Sequence, residues 1–228
     1  PKITWKYLFE VGRHCGLAEP NKGHLAVAEM QSLLSSHRPD PAPVPTSSCS
    51  ATNIFVLTQN IDGLHRKAMN FWGIQQEDEV KKNKTAPSSK KVPPPLIEIH
   101  GSIWEFRCTN CASPVDAADY GLLLDWRRLA SEAAGAEEKG NGEQFVATVV
   151  EQYPPVCQSC LRVSGGGAKA DRGNIRPNVV LFDEMLPIAP LQHLQFINER
   201  LKPEVVVSVG TTNMFPYITE PVRQARAS

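Results

Sequence analysis

Apolar residues along this chain follow two rhythms. Between Ile3 and Cys15, Trp5, Leu8 and Phe9 fall on one helical face and predict a short amphipathic helix. Pro20-Asn21 punctuates the chain, after which Leu25, Ala28, Met30, Leu33 and Leu34 recur at helical spacing. Arg38 to Ser50 is rich in proline and serine and predicts a solvent-exposed loop. The run Asn53 to Thr58 is short, rich in β-formers and bounded by polar residues, which predicts a buried strand. Leu96 to His100 and Ile103 to Arg107 predict two more strands. Asn178 to Phe182 and Glu204 to Val209 are continuously apolar, the pattern of parallel strands covered on both faces. Leu191 to Leu201, between them, has helical periodicity. Strand, helix, strand in that order is a βαβ unit, so the expected fold class is α/β with a parallel sheet. There is no internal repeat.

Composition narrows the picture. The 228 residues carry 24 Lys+Arg against 24 Asp+Glu and are 41% hydrophobic. That length suits one large domain or two small ones with a real core. Zero net charge argues against a chain built around nucleic acid or an anionic membrane. The richest apolar stretch, Val205 to Val209, contains Ser208 and is far short of the about 20 residues of a transmembrane helix. From Gln75 to Pro95 the chain turns polar, with Lys81, Lys82, Lys84, Lys90 and Lys91. No aromatic residue interleaves with these lysines, so a solvated insertion is favoured over a nucleic-acid patch.

Cysteine spacing carries the clearest chemistry. Cys108-Thr-Asn-Cys111 and Cys157-Gln-Ser-Cys160 have identical spacing, though the interval between them exceeds that of a usual zinc ribbon. Each pair places two thiolates on one tight turn, and four thiolates close a tetrahedral zinc shell with no open position for water. Such a metal would be structural and would fold a small module lacking a core of its own. The redox alternative needs a thiol at a helix N-terminus, and neither pair precedes a convincing helix. Val115 to Ala134 and Glu143 to Gln152, separated by Gly140-Asn141-Gly142, read as a helical insertion within that module. Cys15 is expected as a buried thiol and Cys49 as an exposed loop thiol.

Three polar clusters stand where apolar strands stop: Gln59-Asn60-Ile61-Asp62, His100-Gly101 and Gly210-Thr211-Thr212. Ligands of open α/β sheets bind beyond the carboxyl ends of strands, so the three could converge on one site. Each has a plainer role when taken alone. Glycine after a strand is usually a turn, a strand-end histidine is usually structural, and Asp62 suits the cap of a helix starting near Gly63.

Taken together these residues resemble the sirtuins, the NAD-dependent protein lysine deacylases. The resemblance is carried by Thr58-Gln-Asn-Ile-Asp-Gly-Leu-His-Arg-Lys-Ala68, Glu98-Ile-His-Gly-Ser102 and the two cysteine pairs. It continues in Ile175-Arg-Pro-Asn-Val-Val-Leu-Phe182 and Val209-Gly-Thr-Thr212. His65-Arg-Lys-Ala68 and the upstream Glu19-Pro-Asn-x-Gly-His24 are most similar to the class III branch.

The resemblance implies an incomplete Rossmann-type sheet for NAD over residues 1–100 and 174–228, with insertions at 38–50 and 71–95. It also implies a zinc-binding module over 101–173 holding one structural Zn2+. Acyl-lysine protein or peptide would enter between them, with neither nucleic acid nor membrane as partner. His100 would be the general base acting on the nicotinamide-ribose hydroxyls. The acyl oxygen would attack the ribose and expel nicotinamide, leaving free lysine and O-acyl-ADP-ribose, which makes the enzyme a transferase. Gln59 would contact that ribose; Asn60, Ile61 and Asp62 would line the nicotinamide pocket. Gly210, Thr211 and Thr212 would hold the adenosine half, and Val179, Val180, Leu181 and Phe182 would pair with the substrate backbone. The implied location is intracellular, mitochondrial by resemblance, with cytoplasm or nucleus open.

Departures from the family pattern qualify this. Leu8 and Val11 stand where acid-preferring class III members carry Tyr and Arg, which favours neutral acyl groups such as acetyl. Asp183 replaces a usual Gly after the substrate strand. The Gly-Ala-Gly loop that cradles the NAD phosphates has no counterpart in Pro1 to Gln59, so Pro1 reads as a cut through the NAD-binding domain. A catalytically silent, zinc-containing scaffold is therefore the alternative. A plain zinc-ribbon interaction module leaves the strand-end clusters unexplained.

Overall fold

The computed structural model describes residues 2–36, 54–72, 74, 95–123, 125–163, 173–201, 203–212 and 214–227. The predicted loop at Arg38 to Ser50, Cys49 and all five lysines of the polar stretch lie outside the described residues.

Two helices open the chain, α1 (Lys2–Leu17) and α2 (Lys22–Ser36), as the apolar spacing predicts. Strand β1 (Val56–Thr58) leads into α3 (Leu64–Phe71). Strand β2 (Leu96–Glu98) then pairs in parallel with β1. A second sheet, antiparallel, is built from β3 (Gly101–Cys108), β4 (Pro114–Val115) and β5 (Ile175–Val179) in the order β4-β3-β5. Between β4 and β5 run a 3-10 segment (Ala117–Leu123), α4 (Trp126–Glu138), α5 (Gly142–Glu151) and the short α6 (Gln158–Val163). The predicted helix from Val115 to Ala134 is thus two elements, divided where Asp125 caps α4 by accepting from the Arg128 backbone N–H. After β5 come α7 (Ile188–Phe196), extended by a π turn (Ile197–Leu201), and α8 (Pro216–Ala227).

Two strand assignments are corrected. Asn178 to Phe182 is not a parallel strand; the ladder ends at Val179 and runs antiparallel to β3. Glu204 to Val209 joins no ladder among the described residues, and Val205, Val207 and Val209 are 77%, 76% and 80% exposed. An apolar run says which side chains gain from burial. A strand exists only where a neighbour takes its backbone hydrogen bonds. Parallel pairing survives in β1 and β2.

The larger core also lies where none was expected. Trp5, Leu8 and Phe9 of α1 pack with Trp126, Leu129, Val149, Tyr153, Phe106 and Ile175 around the inner cysteines. Trp5 stacks on Tyr153 with ring centroids 5.0 Å apart, and the Trp126 indole N–H donates to the Tyr153 hydroxyl at 3.0 Å. The cysteine-bearing segment therefore has an apolar core, completed by a helix from the far end of the chain. Burial of several large rings outweighs any single polar contact there.

A smaller core joins α2, α3 and β2 through Ala28, Ala68, Met69 and Leu96. Gln31 is fully buried beside it; its amide donates to the Pro95 carbonyl at 3.1 Å, and its side-chain oxygen accepts from His65 Nε2 at 3.3 Å. Cys15, expected buried, is half-buried.

Gly12 on α1 lies under Trp126, and a Cβ there would overlap the indole ring. Gly12→Ala should cost about 1–3 kcal/mol by overpacking. Gly135→Ala in α4, where a Cβ meets nothing, should gain up to about 1 kcal/mol of helix propensity. Urea midpoints check both, and an unchanged midpoint for Gly12→Ala would dismiss the α1–α4 packing.

Burial, then repulsion from His24, lowers the pKa of His65 below its ordinary value, with Asp62 pulling the other way. The unfolded chain then takes up the proton first as pH falls. The contribution is full above about pH 6.5 and is lost below it. Denaturation at about pH 7 and pH 5.5 should show a larger stability loss in the wild type than in His65→Gln; equal slopes would remove His65 as the cause.

Candidate active site

A single glycine starts the site. Gly101 has φ 78°, and a Cβ there would strike the Asn178 carbonyl, so β2 can turn sharply into β3 only with glycine here. The turn leaves His100 between the two sheets. Its backbone carbonyl accepts from the Val180 N–H at 2.9 Å, which seats the end of β5 beside it.

The loop Gln59 to Asp62 is held by a bulge in β3. The register between β3 and β5 shifts between Ser102 and Phe106, opposite Asn178 and Pro177. Within the bulge the Ile103 N–H donates to the Ile61 carbonyl at 3.0 Å, and the Trp104 indole N–H donates to the Asp62 carbonyl at 2.6 Å. Asp62 does not cap α3 as its N-cap residue, which is Gly63; its carboxylate accepts from the Leu64 N–H at 2.9 Å.

The predicted convergence is real for three residues. Thr211 donates its hydroxyl to the Gln59 side-chain oxygen at 3.2 Å. The Gln59 amide donates to the Tyr217 hydroxyl at 3.4 Å. His100 Nε2 lies 2.9 Å from that same hydroxyl, and its Nδ1 lies 3.0 Å from the Gln59 carbonyl. A carbonyl can only accept, so Nδ1 carries the proton, and in the neutral ring Nε2 then accepts from Tyr217. In that tautomer all four bonds have one consistent direction, with the lone pair of the ring at Nε2. Asn60, Gly210 and Thr212 are exposed around this chain of bonds, and Ile61 is half-buried against the core. Gly210 has φ 64° with open space around it.

Tyr217 escaped the sequence reading. The only local signal was an aromatic residue after Pro216 at a helix start, and nothing in that signal points to His100, far away in sequence.

Val179 is buried, Val180 is half-buried, Leu181 packs on the larger core and Phe182 is fully exposed. Glu184 accepts from the Leu181 N–H at 3.2 Å and from Arg176 at 2.5 Å, with Arg107 at 3.4 Å. Burial alone would raise the Glu184 pKa, but these donors bring it below the ordinary value. Asp183 is exposed beside it. Leu8 is buried and Val11 packs on the same core.

The four predicted cysteines come together, with their sulfurs all within 4.8 Å of one another. Cys108 and Cys160 sulfurs are 3.6 Å apart, and those of Cys111 and Cys157 are 3.9 Å apart. Both are far beyond a disulfide bond of about 2.05 Å. They bracket the about 3.8 Å edge of a tetrahedron with zinc–sulfur bonds of about 2.3 Å. Backbone N–H groups of Asn110 and Cys111 donate to Cys108 Sγ at 3.3 and 3.5 Å, and Cys157 N–H anchors to the Gly173 carbonyl. Without a cation, burial pushes the Cys108 thiol up to about 12, while hydrogen bonds from Ser113 bring Cys111 down to about 6. A dication resolves that mismatch by favouring thiolate at all four positions. The residues fit zinc. One detail differs from expectation: α6 begins directly after Cys157, so the second pair does open a short helix.

Comparison with known proteins bears on the same segments. A profile described as the Sir2 family matches residues 47–215. The chain belongs to the Sir2 family. It is 34% identical, over 99% of its length, to NAD-dependent protein deacylase 2 of Pseudomonas aeruginosa, of which it covers 58%. It is 30% identical to NAD-dependent protein deacylase 2 of Pseudomonas syringae pv. tomato, covering 61% of that protein. A mutant Sir2 homologue solved with 2′-O-acetyl ADP ribose shares the fold, with a TM-score of 0.55, 20% identity, and coverage of 100% of this chain and 59% of that one. The chain thus spans roughly three-fifths of the length of these relatives. The chain has the Rossmann-like α/β fold of the family, and its own four-cysteine cluster could hold zinc. Among the described residues no helix is long and apolar enough to cross a membrane.

Purified chain should contain one zinc per molecule by elemental analysis. Cys157→Ser should lose it and melt at lower urea, and chelation should lower the wild-type midpoint to match. A metal-free wild type with an unshifted midpoint would dismiss the zinc centre.

Proposed function

We propose that this site serves NAD-dependent removal of acyl groups, acetyl foremost, from lysine side chains of proteins. The observation carrying the proposal is the hydrogen-bonded line from Thr211 through Gln59 to His100, joining the ends of three predicted strands. The relatives named as NAD-dependent protein deacylases support the reaction class.

In this reading NAD is a consumed substrate whose nicotinamide-bearing ribose carbon receives the acyl oxygen. Gly210, Thr211 and Thr212 bind the adenosine half, where an exposed backbone and two hydroxyls can meet polar ligand groups. Gln59 orients a ribose hydroxyl, and Asn60, Ile61 and Asp62 border the nicotinamide. His100 takes a proton at Nε2, the nitrogen left basic by the bond from Nδ1 to the Gln59 carbonyl. Its partner is a ribose hydroxyl, and the same nitrogen can return the proton.

The peptide adds along Val179 to Phe182. Within the three-stranded sheet β5 is an edge strand, so one side can accept a backbone, and the Glu184 bonds brace the segment beyond it. The zinc centre stays outside the chemistry and braces residues 101–173 as a module. Acyl groups without charge are favoured because Leu8 and Val11 face the core and offer no cation. A relative from Canis lupus familiaris is named NAD-dependent protein deacylase sirtuin-5, mitochondrial, but the Pseudomonas relatives lend a mitochondrial location no support.

Titration of NAD into the chain by calorimetry, followed by nicotinamide release from acetyl-lysine and succinyl-lysine peptides, tests the proposal. NAD binding with acetyl-lysine turnover is expected. His100→Ala should lower turnover by about 10²–10⁴-fold with zinc content unchanged. Retained activity in that variant would take His100 out of the reaction, and absence of NAD binding would leave a silent scaffold.

A further inference from the structure

Both ring nitrogens of His100 are satisfied within the chain. Nδ1–H donates to the Gln59 carbonyl at 3.0 Å, and Nε2 accepts the Tyr217 hydroxyl proton at 2.9 Å. A base whose only lone pair already holds a proton donor cannot receive another hydroxyl until the first one leaves. The Tyr217 hydroxyl also takes the Gln59 amide at 3.4 Å, so it engages two residues of the proposed ligand site at once. We propose that the Tyr217 hydroxyl occupies the position at His100 Nε2 that a ligand ribose hydroxyl takes, so that ligand binding requires α8 to release Tyr217. The inference rests on the deacylase reading of the site.

The local build of α8 suits release. Tyr217 is its second residue, and Pro221 lies four residues on, inside the helix. Proline has no N–H to give the Tyr217 carbonyl, and its ring crowds that carbonyl. The first helical turn is therefore held by fewer backbone bonds than an ordinary one. Its ties include Ile218 N–H and Thr219 N–H to the Phe215 carbonyl, at 3.0 and 3.2 Å, and the Thr219 hydroxyl to the Pro216 carbonyl at 3.3 Å. Tyr217 stacks on Phe215, with centroids 5.5 Å apart and planes 11° from parallel, and Phe215 is itself exposed. The two rings can move together as a small solvent-facing unit. Nothing in this exchange changes a covalent bond; one hydroxyl replaces another as the donor to Nε2.

Tyr217→Phe keeps the ring and its stacking and deletes only the competing hydroxyl. Two readouts follow. The first is the rate at which diethyl pyrocarbonate modifies His100, mapped by mass spectrometry, because this reagent needs a free imidazole lone pair and no cofactor. The second is NAD affinity by calorimetry. Modification should be faster, and NAD binding tighter, each by about 3- to 10-fold, the equilibrium worth of one ordinary hydrogen bond. Pro221→Ala restores an N–H for the Tyr217 carbonyl and should move both readouts the opposite way, so the test survives if either variant fails to fold. An unchanged modification rate in Tyr217→Phe overturns the proposal. Faster modification with weaker NAD binding also overturns it, since the hydroxyl would then assist the ligand. Faster modification with no NAD binding by either protein supports the Tyr217–His100 contact and sinks the deacylase reading of this chain instead.

Discussion

The rest of the structure depends on the bulge that β3 makes opposite Pro177. Backbone N–H groups along β3 alternate between β5 and the opposite side, and that of Ile103 falls on the side away from β5. Where the register slips, Ile103 and Trp104 reach the loop after β1, the first through its backbone N–H and the second through its indole. One sheet is thereby bonded to the other. Anchored by β1 at one end and α3 at the other, and held between them at the Ile61 and Asp62 carbonyls, the loop Gln59 to Asp62 presents the Gln59 carbonyl to His100.

Two kinds of order meet at this junction. On one side, large aromatic rings from α1, α4 and the segment before Cys157 make a core whose cohesion is non-directional burial. On the other, Thr211, Gln59, Tyr217 and His100 form a line of directional bonds in which every donor has one acceptor. The first tolerates small changes of shape. The second does not, because reversing a single amide or imidazole breaks the direction of the whole line. Chemistry that depends on which nitrogen holds a proton needs the second kind of order resting on the first.

How much of this was legible varies by residue. The helices at α1 and α2 were readable because their periodicity is local. The cysteine tetrad was readable because thiolate spacing encodes a metal shell, and its sulfurs lie at tetrahedral distances. The Sir2 resemblance held because short motifs around Gln59, His100 and the cysteines occur in the family's order. Strand pairing was less readable: Asn178 to Phe182 carries the apolar run of a parallel strand, yet β5 runs antiparallel to β3 and stops at Val179. Trp5, Leu8 and Phe9 announced a buried face without naming the partner, which proved to be the cysteine-bearing region.

What the amino-acid sequence determines by itself is therefore chemistry and local conformation. It specifies which residues can ligate a metal, which can carry a proton, which turn requires Gly101, and which segments can be helices. These properties belong to single residues and their near neighbours. Tertiary structure alone decided that the Glu204 to Val209 run joins no ladder among the described residues, that α1 completes the core around the cysteines, and that Tyr217 rests on His100. Each is a contact between residues distant in the chain, selected by competition among many apolar and polar partners, and no local pattern records which partner wins.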